Sequence, residues 1–395
     1  MPNNKDLVLP QLFLRSLGLH ILWFARSWAP GAHSGAPLGL RRIFFLLVLF
    51  PLFLGLQLLH WFGFLLDEVF FRSYRKAPVH APVFISGIPR SGTTFVHRTL
   101  AAHAGNFTGF STWEALLAPS IAERKLFHAL GALDRACGRP LTRILHSFIA
   151  RTTGAFNAVH EVNPSAPEED YLALLPAGGC FMLCFAFPFS TRLQQLGALD
   201  QMPQRTRRKL LLFYRRLLQK HLYCAPEGAR LLSKNAGFGS WAPELLKIFP
   251  DARIILCVRE PVSALSSQLS ALAGARRLFG ADPDGAHTAS LMTEIFAANY
   301  AGLRAFVERS DPAQVALINQ SELRARPGAL LAATVERLEL DPRGDLVSRL
   351  KKLPPSPPSE HRHSASAYPV DTERIENCLD PEYRQMLRSE VRVSA

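Results

Sequence analysis

A glycine-containing segment with an arginine and several hydroxyl groups could bind a phosphate or sulfate group. Residues 87–94 read GIPRSGTT and contain both glycines and the final threonine of the phosphate-loop pattern G-x-x-x-x-G-K-[ST]. Thr93 occupies the position of the usual lysine, and Arg90 supplies positive charge from within the segment. Backbone N–H groups at the start of a helix can hold an anion without that lysine. The segment predicts an anion site; the alternative is an ordinary turn between a strand and a helix.

A second charged position follows the most regular apolar run. Residues 252–258 read ARIILCV, and Arg259 comes next. In nucleotide triphosphatases an aspartate that holds magnesium usually ends such a strand. An arginine there favours an anion over a metal. Ser263 and Ser267 follow Arg259 by four and eight residues, so they share one face of the next helix and could donate hydroxyl groups to the same anion.

The elements that must position these residues alternate along the chain. This alternation predicts an α/β fold in which a parallel sheet carries helices on both faces. The predicted strands are residues 82–87, 229–233, 252–258 and 314–319. The predicted helices are residues 93–103, 238–249, 261–273, 288–309 and 327–338. Residues 119–219 have a mostly helical pattern, which we interpret as an insertion that caps the sheet, and residues 354–358 (PPSPP) predict a stiff connector.

The composition limits the classes of partner. The 395 residues include 45 Lys plus Arg and 32 Asp plus Glu, a formal charge of +13, which predicts anionic partners. No module that recognises nucleic acid is present in the sequence, so we predict no nucleic-acid partner. The six cysteines lack the spacing of a zinc site or of a disulfide scaffold, and we predict neither a metal nor a disulfide framework. Scattered thiols fit a cytosolic compartment.

Residues 1–80 differ from the rest of the chain and predict a membrane-associating region before a domain at residues 81–395. Residues 43–66 contain no Asp, Glu, Lys or Arg, and a helix of this length reaches roughly 36 Å, enough to cross a hydrocarbon core. Residues 12–28 combine apolar residues with Arg15, His20 and Arg26, a pattern typical of a helix in the membrane interface. The alternative is a pair of apolar helices buried on a soluble domain.

The charges around the apolar run bear on its topology. The run begins too late and lacks the small-residue cleavage site of a signal peptide. Arg15, Arg26, Arg41 and Arg42 disfavour transfer of the N-terminus across a membrane. Pro51 would allow a bend halfway along the run. We therefore predict monotopic attachment with the domain at residues 81–395 on the cytosolic side, and a single span remains the alternative.

Three short motifs together resemble the sulfotransferase superfamily. They are PRSGTT at residues 89–94, SKN at residues 233–235, and VREP at residues 258–261 with a serine eight residues after its arginine. The sequence is most similar to the branch that contains tyrosylprotein sulfotransferases and bacterial sulfotransferases, over residues 83–387. The resemblance implies the P-loop sulfotransferase fold and a metal-independent transfer from the donor 3′-phosphoadenosine 5′-phosphosulfate.

The resemblance also implies roles for individual residues. The 5′-phosphosulfate would be held by Arg90, Ser91, Gly92, Thr93 and Thr94. Arg259 and Ser267 would bind the 3′-phosphate, and Lys234 would contact the sulfonate and the bridging oxygen. Lys234 and Arg90 would then supply the fixed positive charge that sulfuryl transfer requires as charge builds on the leaving phosphate.

The acceptor side is less defined. A general base must remove the acceptor proton, and Glu114, in a W-E pair that resembles bacterial members, is the first candidate. His160 is the second, and we predict that Glu168, Glu169 and Asp170 are solvated acids at the start of a helix. The acceptor group is a hydroxyl or an amine, and the acceptor class stays open between lipid, carbohydrate, peptide and small alcohol. A P-loop nucleotide kinase or triphosphatase and a non-catalytic nucleotide-binding membrane adaptor are the competing functions.

Overall fold

A five-stranded parallel sheet forms the centre of the protein. The computed structural model describes residues 9–29, 31, 35–103, 105–140, 143, 166–341, 344–354 and 372–394. The strands are β1 (Val83–Gly87), β2 (Phe107–Thr108), β3 (Arg230–Lys234), β4 (Arg253–Val258) and β5 (Val315–Asn319). Their order in the sheet is β2-β3-β1-β4-β5, and all pairs are parallel. The predicted α/β class is confirmed.

Helices cover both faces of the sheet. Before and just after β1 they are α1 (Leu9–Ser27), α2 (Leu40–Phe70, with a π-helical turn at Phe45–Leu49) and α3 (Thr93–His103). Between β2 and β3 they are α4 (Thr112–Leu116), α5 (Ile121–Ala136), α6 (Leu183–Ala186), α7 (Thr191–Gln194) and α8 (Gln204–Cys224). Beyond β3 they are α9 (Ala242–Ile248), α10 (Pro261–Phe279), α11 (Ala286–Val307), α12 (Gln320–Ala325), α13 (Pro327–Arg337), α14 (Asp345–Leu350) and α15 (Thr372–Met386). Short 3-10 helices are Arg72–Lys76, Asp170–Ala177, Gln195–Gly197, Leu199–Gln201 and Ala236–Trp241.

The register of the sheet brings the ends of three strands together. Ile85 of β1 lies opposite Lys234 of β3, and Gly87 lies opposite Cys257 of β4. The strands are parallel, so the loop after β1, the last residue of β3 and Arg259 just beyond β4 meet at one carboxyl edge. Ligands of open α/β sheets bind at such an edge.

The predicted elements agree with the structure, with three local differences. Helix α10 continues six residues beyond the predicted end and stops where Gly280 adopts a left-handed conformation with φ of 58°. The predicted helix at residues 238–249 is instead a 3-10 helix followed by α9. Strand β2 was not predicted, because two residues are too short for a periodic pattern. Most of the predicted connector at residues 354–358 lies outside the described residues.

Helices α1 and α2 pack along the side of the domain. Near the start of α2, the buried Arg42 donates through Nη1 to the carbonyls of Ala186, at 2.7 Å, and Phe279, at 3.2 Å. Near its end, Asp67 accepts hydrogen bonds from the N–H groups of Ile121 and Ala122 at the start of α5. Both ends of the helix are thus fixed to the same domain.

The other side of α2 is exposed and apolar. Leu47, Leu52, Leu59 and Phe62 are each 59–68% exposed. Within the described residues, Leu40–Phe70 is the one helix whose length and composition would allow it to cross a membrane, and 28% of its most apolar stretch is buried. Neither complete burial nor complete exposure of this helix is observed.

Candidate active site

The loop between β1 and α3 has a backbone that its sequence explains. Gly87 has φ of 128°, and a Cβ atom there would lie 2.0 Å from the carbonyl oxygen of Cys257, so only glycine fits between β1 and β4. Gly92 has φ of 95°. Arg90 has φ of 67°, an uncommon conformation for a non-glycine residue and one that recurs in ligand-binding loops.

The hydroxyl of Ser91 is directed into the loop itself. This serine is fully buried, and its Oγ lies 2.5 Å from the carbonyl oxygen of Ile88 and 2.9 Å from that of Cys257. It does not line the cavity described next. Its side chain therefore holds the loop against β4, and any contact of Ser91 with a ligand would be made by the backbone.

A cavity of about 810 Å³ lies at the carboxyl edge of the sheet. It collects the remaining predicted donor-site residues and the predicted catalytic lysine. These lining residues are Arg90, Gly92, Thr93, Thr94, Lys234, Arg259 and Ser267. A second cavity, of about 910 Å³, lies between α11 and α15 and contains none of the predicted site residues.

The arginines of the cavity concentrate positive charge. Arg90 Nε donates to Ser267 Oγ at 3.1 Å, and Arg259 Nη1 donates to the carbonyl oxygen of Arg90 at 3.2 Å. Burial lowers the pKa of Arg259, and the neighbouring guanidinium groups of Arg90 and Arg324 lower it further. An anion placed among these groups would relieve their mutual repulsion.

Two further arginines line the cavity and were not identified from the sequence. Arg98 belongs to α3, and Arg324 belongs to α12, directly after β5. Neither is part of a motif. The position of Arg324 after the carboxyl end of a predicted strand was the available signal, because that edge is where ligands of such sheets bind.

Lys234 is the last residue of β3, and its ammonium reaches the cavity although the residue is only 3% exposed. Its Nζ lies 3.1 Å from Glu169 Oε1, 3.5 Å from Glu168 Oε1 and 3.4 Å from Thr94 Oγ1. This arrangement places two carboxylates and an ammonium at one point of the cavity wall.

Glu168, Glu169 and Asp170 stand at the start of a helix as predicted, here the 3-10 helix Asp170–Ala177. The prediction that they are solvated is wrong for Glu169 and Asp170, and Glu168 is only one-third exposed. The N–H of Glu168 donates to the carbonyl oxygen of Phe110 at 2.8 Å, and this contact helps to bring the insertion over the edge of the sheet. Glu168 and Glu169 therefore face Lys234 in the cavity, and Asp170 is 1% exposed. Pairing across distant segments of chain cannot be recognised from the spacing of acids in sequence.

Asp170 belongs to a buried polar network beneath the cavity. Its carboxylate accepts hydrogen bonds from Tyr214 Oη, at 3.0 Å, and from Asn235 Nδ2. Burial raises the pKa of Asp170 to about 6, although these hydrogen bonds oppose the shift. Asn235 also accepts from the N–H of Tyr171 at 2.9 Å. The asparagine of the SKN motif thus links the insertion to the sheet next to Lys234.

Glu114, the first candidate for the general base, stabilises the start of a helix and the buried Arg124. Its Oε2 accepts from the N–H and Oγ of Ser111, at 2.8 and 2.7 Å, in a capping box at the start of α4. Its Oε1 lies 3.3 Å from the buried Arg124. Glu114 does not line the cavity. The structure does not support the prediction that it is the base, and His160, the second candidate, lies outside the described residues.

The same cavity is also lined by apolar side chains. Most of them come from the insertion, from the 3-10 helix Ala236–Trp241 and from α11. They are Leu172, Phe181, Met182, Leu196, Phe238, Trp241, Met292, Ile295 and Phe296, and we call them the apolar side of the cavity. The cavity therefore combines cationic groups with apolar surface.

Comparison with known proteins agrees with this fold and assigns the chain to a family. The sequence profile of the Sulfotransferase family matches residues 82–343, about two thirds of the chain, and the chain belongs to this family. No curated protein sequence matches. The fold is similar to that of sulfotransferase STF1 from Mycobacterium tuberculosis H37Rv, with a TM-score of 0.66 and 15% identity, over 96% of this chain and 100% of that one. It is also similar to sulfotransferase STF9 from Mycobacterium avium, with a TM-score of 0.61 and 17% identity, over 82% and 80% of the two chains.

Proposed function

We propose that this sulfotransferase moves a sulfuryl group from 3′-phosphoadenosine 5′-phosphosulfate to an acceptor hydroxyl. The observation that carries the proposal is the convergence of Lys234, Arg90 and Arg259 with the loop after β1 on one cavity. Arg259 and Ser267 lie beside Arg90 and are the proposed site of the 3′-phosphate, which distinguishes this donor from ATP. Thr93 in place of lysine and Arg259 in place of a magnesium aspartate argue against a nucleotide triphosphatase.

The chemistry needs charge stabilisation and one proton transfer. The acceptor oxygen forms a bond to sulfur while the bond between sulfur and the bridging phosphate oxygen breaks. The leaving group is adenosine 3′,5′-bisphosphate. Lys234 stabilises the charge that grows on the bridging oxygen, and Arg90 and the loop amides stabilise the phosphate. The acceptor proton passes to a carboxylate beside Lys234, and Glu169, at 3.1 Å from the ammonium, is the proposed base.

Arg259→Ala tests the donor. The variant should weaken binding of adenosine 3′,5′-bisphosphate by roughly 10- to 150-fold, the worth of one charge-assisted contact of about 1.5–3 kcal/mol. Binding of adenosine 5′-phosphosulfate, which lacks the 3′-phosphate, should change little. Isothermal titration calorimetry measures both, with the exposed Arg277→Ala as the matched control. Equal weakening for the two nucleotides would contradict the assignment of Arg259.

Glu169→Gln and Glu168→Gln, made separately, test the base. Loss of a general base lowers kcat by about 10²- to 10⁴-fold, while the affinity for adenosine 3′,5′-bisphosphate should remain. Glu244→Gln, whose residue pairs with the exposed Lys247, is the control. Normal turnover in both cavity variants would exclude both carboxylates and leave His160 as the remaining predicted base.

We also propose that α1 and α2 attach the protein to one side of a membrane. Arg42 and Asp67 fix both ends of α2 to the catalytic domain, so the helix cannot cross a bilayer without carrying the domain with it. The exposed apolar side of α2 would lie in the membrane interface, and the exposed Arg41 and Arg72 beside its ends would face anionic headgroups. A catalytic domain on the cytosolic side would have access to a cytosolic donor.

Vesicle flotation and cysteine labelling test this attachment. The full chain should float with vesicles that contain anionic lipid, and Leu59→Asp with Phe62→Asp should reduce flotation, whereas the exposed Leu278→Asp should not. In a background without native cysteines, single cysteines at Leu38 and Ser73 should both resist an impermeant thiol reagent added to intact cells. Labelling of one site alone would demonstrate a true span.

A further inference from the structure

The apolar side of the cavity is formed by residues that the proposed transfer reaction does not use. Phe181 and Met182 are half-buried in the insertion and project into the cavity. Ile295 faces them from α11, and Phe238 stacks on Trp241 with a ring separation of 3.8 Å. These side chains belong to elements other than those that carry the cavity's arginines, and they form an apolar surface suited to a ligand other than the phosphates.

Two polar side chains of the cavity lining already donate their hydrogen bonds within the protein. Trp241 Nε1 donates to the carbonyl oxygen of Leu196 at 3.1 Å. Asn299 Nδ2 donates to the carbonyl oxygens of Gly197 and Ile295, at 2.7 and 2.8 Å. A sugar ring packed against Phe181, Met182 and Ile295 would lose water from its hydroxyl groups without gaining these two donors, at a cost of about 1–3 kcal/mol for each group left unsatisfied.

We infer that the acceptor is an alcohol with an apolar body, for example a long-chain alcohol, and that it binds with its hydroxyl at Lys234 and Glu169. The hydrocarbon then lies along Phe181, Met182 and Ile295. This inference rests on the proposed function and assigns its acceptor class. The hydroxyl is the one group of such an acceptor that needs a polar partner, and the carboxylate side of the cavity supplies one.

The segment that carries this wall also contacts the N-terminal helices. A Cβ atom at Gly178 would lie 2.9 Å from the ring of Trp23, and Phe187 stacks on Trp23 with a ring separation of 5.6 Å. Residues 178–187 therefore have the cavity on one side and α1 on the other. An amphiphilic acceptor fits this arrangement, because it would concentrate at the apolar surface of the N-terminal helices.

A series of primary alcohols in solution tests the inference directly. Isotopically labelled donor and the full chain are incubated with hexanol, octanol or decanol, and with methyl glucoside as the carbohydrate. Each buried methylene should raise kcat/KM about fourfold, the equivalent of about 0.8 kcal/mol, so decanol should exceed hexanol by roughly 200-fold. Decanol should also exceed methyl glucoside by at least about 100-fold. A flat dependence on chain length, or a preference for the glucoside, overturns the inference.

The variant Met182→Asn tests the position of the hydrocarbon. It should lower kcat/KM for decanol about tenfold and for hexanol less, with the affinity for adenosine 3′,5′-bisphosphate within twofold of the original. Leu278→Asn, an exposed apolar residue outside the cavity, is the control. Equal loss of nucleotide affinity and alcohol turnover would show that this wall belongs to the donor site and would overturn the inference.

Nucleotide binding distinguishes a failure of the acceptor inference from a failure of the proposed function. If the original protein binds adenosine 3′,5′-bisphosphate but sulfates none of the alcohols, the acceptor inference is wrong and the proposed donor stands. If the protein does not bind this nucleotide, the proposed function itself is wrong, and the acceptor inference falls with it.

Discussion

Two lysines that are both almost fully buried have different surroundings in this protein. Lys220 of α8 is 1% exposed and Lys234 of β3 is 3% exposed. Lys220 Nζ lies 2.6 Å from Asp67 Oδ2 and 3.9 Å from the ring centre of Tyr74, so its charge is neutralised inside the contact between α2 and the domain. Lys234 Nζ faces a cavity in which its carboxylate partners lie at 3.1 and 3.5 Å.

Burial of a charged group therefore does not by itself indicate that the group takes part in catalysis or ligand binding. Burial lowers the pKa of Lys220, and Asp67 opposes that shift, which is the signature of a closed internal pair. Lys234 is accessible to a ligand, because one side of its ammonium group faces the cavity and not packed protein atoms. The ion pair of Lys220 and Asp67 holds the N-terminal helices on the domain. Lys234, at the carboxyl edge of the sheet, faces a cavity where a ligand can reach its charge.

The largest effect, a loss of stability, is expected from breaking the buried ion pair of Asp67 and Lys220. Asp67→Ala leaves the ammonium of Lys220 buried without its partner and should lower the free energy of unfolding by about 3–5 kcal/mol, as measured by urea denaturation. Folded protein should keep its affinity for adenosine 3′,5′-bisphosphate. Glu336→Ala, which removes an exposed pair with Lys351, should cost about 1 kcal/mol or less. A similar small cost for Asp67→Ala would show that α2 is only loosely attached.

Lys234→Ala tests the open lysine. The variant should lower kcat by roughly 10²- to 10³-fold, because charge at the leaving oxygen is greatest in the transition state. Nucleotide affinity should fall much less, as measured by calorimetry beside steady-state kinetics. Lys247→Ala, at an exposed position, is the control. Near-normal turnover of Lys234→Ala would place this lysine with Lys220 as a structural residue.

Asp170 gives a prediction about pH. Its pKa is about 6 in the folded protein against an ordinary value of 3.8, so the folded state holds this proton more tightly than the unfolded chain does. Its contribution to stability is complete below pH 4 and is lost as the pH rises through 6, by an amount on the order of 2–3 kcal/mol. Asp170→Asn should remove this dependence. The difference in unfolding free energy between original and variant, measured at pH 4.5 and pH 7, should therefore shrink or change sign.

Glu114→Gln should have the smallest effect on turnover. Glutamine can also occupy the third position of a capping box, but the buried Arg124 loses its charged partner, so the loss of stability should be roughly 1–3 kcal/mol. Turnover should stay within about twofold of the original, because Glu114 lies outside the cavity. A loss of turnover as large as that of Glu169→Gln would restore Glu114 as the base.

The gathering of Arg90, Lys234 and Arg259 could be predicted from the sequence because these residues follow strands directly. Each stands at or just beyond the carboxyl end of a buried apolar run, and parallel pairing brings such ends to one edge. The carboxylates beside Lys234 could not be predicted in the same way. Glu169, which we expected to be solvated, reaches Lys234 through an irregular insertion, and Glu114, the first candidate for the base, caps a helix instead.

The sequence by itself determined the α/β alternation, the glycine-containing loop that lacks the usual lysine and the apolar character of the N-terminal helices, because each is a local pattern of residue types. The tertiary structure decided which charged side chains are paired inside the protein and which face the cavity. It paired Asp67 with Lys220 across 153 residues and brought Glu168 and Glu169 to Lys234 across about 65. Such pairs depend on the packing of distant segments, and the chemistry of a buried charge depends on the atoms that packing places around it.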